Sequence, residues 1–356
     1  MILARYIAGN LVKGWLLAFV VLASIFGLLG FIEELDRIHR DYTALDAARY
    51  TVFVLPNQLV GLAPVIALLG SIIALANLDR FNELTVISCT GFSRSQLLRA
   101  VLLPTLALML ALWVCMEFLT PQLQQRAEQD KVRLRHGDHA WIPGGGLWST
   151  TGQRYIHIGR LSRDTVPGAI SLFEFDQNNE LQRTLRAESA TIGDDRTWRF
   201  ENVQEKTRLG DELQNRRHDE LQVANLWARQ ELSTLSFRQD TMNLSVLYAY
   251  TDYLRSTSQP VERHLHTLWQ RLMLPFTVLA MVLMATAVSA SITAGRDRSF
   301  GLSIGIGAVL GIVFYLASQI IFALGQLLGW SIPLVAALPA ALIFVCALLL
   351  MRRMRW

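Results

Sequence analysis

Apolar residues in this chain come in long unbroken runs rather than at alternating positions. Trp15–Ile32, Leu59–Leu78, Ala100–Met116 and Leu272–Ala294 contain no Asp, Glu, Lys, Arg or His, and neither does the stretch from Ser299 to Met351. About 20 helical residues cross the roughly 30 Å hydrocarbon core of a bilayer. The first four runs therefore predict one membrane-spanning helix each. The last is long enough for two, with Gly325, Gly329 and Pro333 marking the break between them.

Between the third and fourth runs the period changes. Leu147–Ile158 with its Tyr155-Ile-His-Ile158 core, Ile170–Phe175, Leu181–Ala190 and Thr197–Val203 read as short strands. They are punctuated by Asp176-Gln-Asn-Asn179 and Asp194-Asp195. That spacing predicts an antiparallel sandwich or open roll. Gln122–Arg135 reads as a helical continuation of the third span. Leu244, Leu247, Tyr248 and Leu254 recur at helical spacing, and Pro260 opens the helix leading into the fourth span. The expected fold is an α-helical membrane protein with six transmembrane helices, three and three, around an inserted all-β domain. The expected boundaries are residues 1–121, 122–266 and 267–356.

Charge orients this layout. Arg5 and Lys13, Arg80, Arg94 and Arg99, Arg296 and Arg298, and Arg352, Arg353 and Arg355 all flank span ends that fall on one side, which marks that side as cytoplasmic. Both termini are then inside and the central block outside. The net charge of +4 follows from this topology and calls for no nucleic acid. Phe31, Ile32, Glu33 and Glu34 stand where a signal-peptide cleavage site would need small residues, so the first run reads as a retained helix. None of Cys89, Cys115 and Cys346 lies in the central block, which excludes a disulfide framework there; all three read as small apolar filler.

Candidate chemistry is sparse. Gly144-Gly-Gly146 lacks the Lys-Ser/Thr of a phosphate loop and reads as a flexible turn. His264-Leu-His266 has no third ligand spaced for a metal, and Ser149 and His157 sit in no nucleophile motif. The spans hold no ionisable group that could capture and relay an ion, which argues against a secondary transporter. A membrane enzyme acting on lipid head groups would need clustered His, Asp or Ser at the surface, which the sequence lacks. A scaffold anchoring an external domain stays open at this point.

The segment between the second and third spans offers a route for outside work. Asp79–Thr90 predicts a short helix ended by Gly91, and Ser93 with Gln96 forms a capping box for the next helix. Phe81, Leu84, Val86 and Ile87 give it apolar surface, and Arg80 and Glu83 give it charge. It reads either as an interfacial helix or as a coupling helix seated in a separate ATPase, with Arg80, Glu83, Leu84, Ile87 and Phe92 as the contact set. In the fifth span, Gly301-x-x-x-Gly305 and Gly307-x-x-x-Gly311 permit close helix approach, within the chain or at a seam with a second membrane subunit.

Asp79-Arg-Phe-Asn-Glu-Leu-Thr-Val-Ile-Ser-Cys-Thr-Gly-Phe-Ser93 resembles the cytoplasmic loop of the lipopolysaccharide-export permeases of the LptF/LptG family. Gly145-Gly-Leu-Trp148, Tyr155-Ile-His-Ile158, Leu247-Tyr-Ala-Tyr-Thr-Asp-Tyr-Leu254 and Trp269-Gln-Arg-Leu-Met-Leu-Pro275 extend the resemblance over essentially the whole chain, and the first two favour the LptG branch. The resemblance implies a bacterial inner-membrane permease with a periplasmic β-jellyroll. It implies pairing with an LptF-like permease, an LptB-like ATPase dimer below, and an LptC-like single-span protein and a jellyroll bridge beside it. The substrate would be lipopolysaccharide; the alternative is the sister LptF-type subunit or another lipid- or lipoprotein-exporting permease. The chain would hold no cofactor and do no bond chemistry, ATP and magnesium being bound by the ATPase; Glu83 matches the glutamate of the coupling helix.

Lipopolysaccharide combines several acyl chains with a phosphorylated head. A charge-free cavity suits the chains, with Phe26, Leu29, Phe31, Ile32, Phe314 and Ile321 as candidates. Basic residues at the outer rim suit the phosphates, with Arg37, Arg40, Arg126, Lys131 and Arg133 as candidates. The resemblance to enteric members of that family breaks at the end of the first span. Gly30 and Asp36 stand beside Glu33 and Glu34 here, where the resemblance implies a stretch richer in lysine.

Overall fold

The computed structural model describes residues 2–38, 42–91, 94–136, 147–151, 153–161, 167–176, 180–193, 197–209, 212–224, 226, 241–256, 261–293 and 300–353. The Gly144–Gly146 turn, the Ser93 capping box and Pro260 lie outside them.

The described residues of the uncharged runs are helical except at Leu62 and at 328–331. α1 is Ile2–Leu35, α2 Ala44–Gly61, α3 Ala63–Arg80, α4 Glu83–Cys89 and α5 Arg94–Val114. A π-helical turn at Cys115–Leu119 joins α5 to α6, Thr120–His136. After the sheet come α7 (Leu244–Ser256), α8 (Glu262–Thr293), α9 (Phe300–Leu327) and α10 (Ile332–Arg353). Six of these helices, the α5–α6 rod counting as one, are long and apolar enough to cross a membrane. Three precede the sheet and three follow it. The predicted continuation of the third run past Gln122 is α6.

Two boundaries differ from the sequence reading. Leu59 lies in the last turn of α2 instead of opening the second span, which starts at Ala63 with Pro64 in its first turn. α2 is a separate helix, begun by a capping box in which the Thr43 side chain accepts from the Asp46 N–H while the Asp46 carboxylate accepts from the Thr43 N–H. Its mixture of polar and apolar residues hid it among loop residues. The predicted helix over Asp79–Thr90 divides as well. α3 runs through Arg80, the chain reverses at Asn82 with φ +56°, and only Glu83–Cys89 form α4. Gly91, at φ +79°, occupies the left-handed position expected after the helix.

α3 and α8 are the innermost of the long helices, while α1 and α9 are largely uncovered along their apolar windows. Lipid is as apolar as Leu, so close packing and buried polar bonds carry helix association in a membrane. The α1–α3 seam has both. A Cβ on Gly70 would lie 2.6 Å from Trp15 Cα and 2.7 Å from the Gly14 carbonyl oxygen, so the two backbones touch. Beside that contact Trp15 Nε1 donates to Ser71 Oγ at 2.8 Å, fully buried.

The central block folds as β1 (Leu147–Thr151), β2 (Arg154–Leu161), β3 (Pro167–Phe175), β4 (Leu181–Ile192), β5 (Trp198–Leu209) and β6 (Glu212–Val223), one antiparallel sheet in sequential order. The single run predicted over Leu147–Ile158 is two paired strands. β6 carries so many charged residues that its sequence gave no strand signal. One hydrophobic core joins Ile156, Ile170, Leu185, Trp198, Phe200 and Val223. The buried positions on β4 and β5 skip phase together: Ala187 to Ala190 on one strand, Phe200 to Val203 on the other. Ala169 and Asn202 adopt φ +50° and +52° along this line. The result is a crease across the strands, and Arg154 at the start of β2 donates to the Ala224 carbonyl just past β6 at 3.2 Å. The sheet therefore curls over its own core.

Candidate functional site

The short α4 stands between α3 and α5. Ile87 is its buried anchor, packed in a cluster with Ile7, Leu11, Leu97 and Val101. Phe81 and Val86 are each more than 60% exposed, an apolar pair facing away from the bundle. The Arg80 guanidinium lies 5.9 Å from the Phe81 ring centre. Glu83, in the first turn of α4, accepts a 2.7 Å hydrogen bond from the Tyr6 hydroxyl. Sequence reasoning named Glu83 and missed Tyr6, which no motif marks. Leu84 lies on α4, but its side chain, like Phe92 altogether, falls outside the described residues.

The basic residues proposed for a head-group rim divide. Arg37 and Lys131 meet on one carboxylate, Glu34: Lys131 Nζ lies 2.6 Å from Oε1, and Arg37 Nη1 lies 3.0 Å from Oε2. Arg37 also pairs with Glu33 at 2.8 Å, and the Tyr42 hydroxyl donates to Glu34 Oε1 at 3.1 Å. Lys131 further rests over the Tyr50 ring at 4.0 Å. Glu34 is 3% exposed and Lys131 11%, so this is a buried ion pair. The acidic departure at the end of the first span thus has a structural partner. The cluster ties α1 to α2 and α6 and adjoins a cavity of about 150 Å³ lined by Arg49, Phe53, Asp130 and Leu134 among others. Arg126 is exposed on α6. Arg40 and the Arg133 side chain lie outside the described residues.

The apolar candidates are spread over two helices that share α3 as a neighbour. Leu29 and Ile32 on α1 are about half exposed, and Phe26 and Phe31 partly so. On α9, Phe314 packs against the Leu68, Ile72 and Met281 cluster, and Ile321 is partly exposed. The glycines of α9 also divide. A Cβ on Gly307 would lie 2.8 Å from Ile72 Cδ1, and one on Gly311 3.3 Å from Val65 Cγ1, so these two pack on α3 within the chain. Among the described residues, nothing comes within 4 Å of such an atom on Gly301 or Gly305. The closest helix approach is instead at Gly14 and Gly70, which the sequence reading did not single out.

A short helix docked between long apolar helices thus carries a carboxylate, with an exposed apolar pair on it and just before it. The family described as "Lipopolysaccharide export system permease LptF/LptG" matches residues 5–353. The chain belongs to this family. Relatives matched along nearly their whole length carry the name "Lipopolysaccharide export system permease protein LptG". That of Escherichia coli is 28% identical over 362 residues, covering 99% of this chain and 98% of the relative. That of Haemophilus influenzae is 26% identical over 359 residues, covering 99% of each. As an LptF/LptG permease, the chain is a transport subunit, and its long apolar helices fit a multi-pass membrane protein.

Proposed function

We propose that this chain is the LptG-type permease subunit of an ATP-driven exporter, which lifts lipopolysaccharide from the bacterial inner membrane and passes it into a periplasmic bridge. Two relatives named LptG, matched end to end, support that role over the sister subunit. The three-plus-three layout, with both termini cytoplasmic and the creased sheet outside, follows from the basic span ends. The sheet serves as the first jellyroll of the bridge. Its curl over one core and the Arg154–Ala224 closure support that reading. The units are residues 1–121, 122–266 and 267–356.

The observation that carries the mechanism is α4. Its Val86, with Phe81 just before it, offers an apolar knob to a groove of an LptB-like ATPase, with Glu83 beside it for a basic partner. ATP and magnesium belong to that ATPase dimer. Hydrolysis moves α4; Tyr6 passes the motion to α1, while Ile87 passes it to α5. A heterodimer with an LptF-like permease encloses the acyl chains, and an LptC-like single-span protein joins the outer end. The exposed Arg126 takes the phosphates, and Arg40 and Arg133 join it as candidates by charge alone, whereas Arg37 and Lys131 hold the helix ends together through Glu34.

The experiment is reconstitution with these partners in vesicles, measuring lipopolysaccharide release and ATP hydrolysis together. ATP-dependent release that fails in Glu83→Lys supports the coupling route; equal release from both variants overturns it.

A further inference from the structure

The point where the sheet's chain returns to the helices is built more tightly than a linker requires. Thr241 and Met242 are 2% and 1% exposed. Gln125 on α6 donates to the Thr241 carbonyl at 2.8 Å, and Arg271 on α8 donates to the Met242 carbonyl at 2.5 Å. Three residues later, Glu117 takes hold of the first turn of α7. Its Oε1 accepts from the Ser245 hydroxyl and its Oε2 from the Ser245 N–H at 3.3 Å. A carboxylate there satisfies an orphan N–H and opposes the positive end of the α7 dipole.

Glu117 sits in the π turn. The Thr120 N–H bonds back to the Cys115 carbonyl five residues away, and the Thr120 hydroxyl reaches the same oxygen at 3.3 Å. One extra residue per turn shifts the register of the rod at that point, and π turns concentrate where a side chain must be re-aimed. Glu117 is also the acidic residue at the end of an otherwise uncharged run, near the boundary of the hydrocarbon core. On the other side of the joint, Met242, Leu247 and Leu268 form a small core between α7 and α8.

We infer that Glu117 is a positioning residue: the π turn presents its carboxylate to α7, and with Gln125 and Arg271 it locks Thr241–Ser245, where the chain comes back from the sheet, to the α5–α6 rod and α8, so that helix motion is passed on toward the sheet. This rests on the transport reading above, since a joint of this kind matters only if the helices do work on the sheet. Loss of the carboxylate frees the first turn of α7 without unfolding the bundle, whose cores lie elsewhere. Helix motion is then taken up in the joint.

The test uses the full chain assembled with its partners. Amide hydrogen exchange is followed over residues 244–250 in wild type, Glu117→Ala, Glu117→Gln and Glu117→Ala/Ser245→Ala, and lipopolysaccharide release and ATP hydrolysis are measured on the same samples. In Glu117→Ala, exchange in that segment rises about fivefold, as expected for a lost helix cap, while α5 stays protected. Release falls severalfold with ATP hydrolysis intact. Glu117→Gln, which keeps an acceptor oxygen, restores most of both, and adding Ser245→Ala changes nothing further. Unchanged exchange in Glu117→Ala overturns the joint; raised exchange with wild-type release overturns its role in transport. A wild-type assembly that releases no lipopolysaccharide sinks the transport reading instead, and the exchange arm still decides whether Glu117 holds α7.

Discussion

The Tyr6 hydroxyl donates to Glu83 Oε2 at 2.7 Å, tying the first turns of α1 to the start of α4. α1 also buries Ile7 and Leu11 against Ile87 on α4 and Leu97 and Val101 on α5. The short helix is therefore fixed to two long ones, by a polar bond on one side and an apolar anchor on the other. A push on its exposed Val86 and on Phe81 just before it has somewhere to go.

Removing the carboxylate should separate hydrolysis from transport. In vesicles, Glu83→Ala and Glu83→Lys are expected to cut lipopolysaccharide release at least tenfold with the assembly intact, whereas Tyr6→Phe, which loses one exposed hydrogen bond worth about 1 kcal/mol, costs only a few-fold. Release and assembly are read together; equal effects of Tyr6→Phe and Glu83→Lys would mean that the Tyr6 bond itself is the coupling.

Glu34 is the keystone of the α1–α2–α6 cluster. Glu34→Ala leaves the nearly buried Lys131 ammonium without its ion-pair partner there and is expected to lower stability by about 3 kcal/mol. Glu34→Gln with Lys131→Met should cost clearly less than the sum of the single changes, because both charges leave together. Thermal unfolding in detergent measures each; additive losses would contradict the pair.

The glycines of α9 should behave in two classes. Gly307→Val drives side-chain atoms into Ile72 and is expected to cost about 1–3 kcal/mol, whereas Gly305→Ala has open space and should leave the chain's own stability unchanged. Melting of the chain alone separates them. A loss of partner pairing confined to Gly301 or Gly305 variants would place the subunit seam there.

The sheet carries a charge ladder across its strands: Arg154–Glu174–Arg183–Glu205–His218. Burial pushes the Glu205 carboxyl up, but the bonds from His218 and Arg183 outweigh it and hold its value below the usual 4.5. A lowered carboxylate value in the folded state stabilises fully above about pH 4.5, and that contribution drains away as pH falls further. Glu205→Gln should cost about 2 kcal/mol at neutral pH and flatten the acid side of the stability curve. Unfolding measured from pH 7 down to pH 3 tests the sign: a variant losing as much stability as wild type below pH 4.5 would contradict it.

The spans were legible because their charge-free runs are long enough to exclude other structures, as at Ile332–Met351, although the start of the second was not. The α4 segment was legible because Gly91 and a compact apolar set mark it. α2 was not, since Thr43 and Asp46 form its only local signal and the residues after them alternate between faces too unevenly to show a period. β6 was hidden because Glu212–Val223 is almost wholly polar and is held by its pairing with β5. The Glu34–Lys131 pair could not be read at all. The sequence presents two rim cations and a stray carboxylate, and only the folding of α6 against α1 shows that they neutralise one another. The same holds for Gly14 and Gly70, which lie in different helices and belong to no spaced motif.

The most direct test is lipopolysaccharide release from vesicles holding this chain with its partner permease and ATPase, energised either by ATP or by a proton gradient alone. Release with ATP only, lost in Glu83→Lys, is the predicted result. Release driven by the gradient without ATP, or undiminished in Glu83→Lys, would contradict the claim that work reaches these uncharged helices through α4.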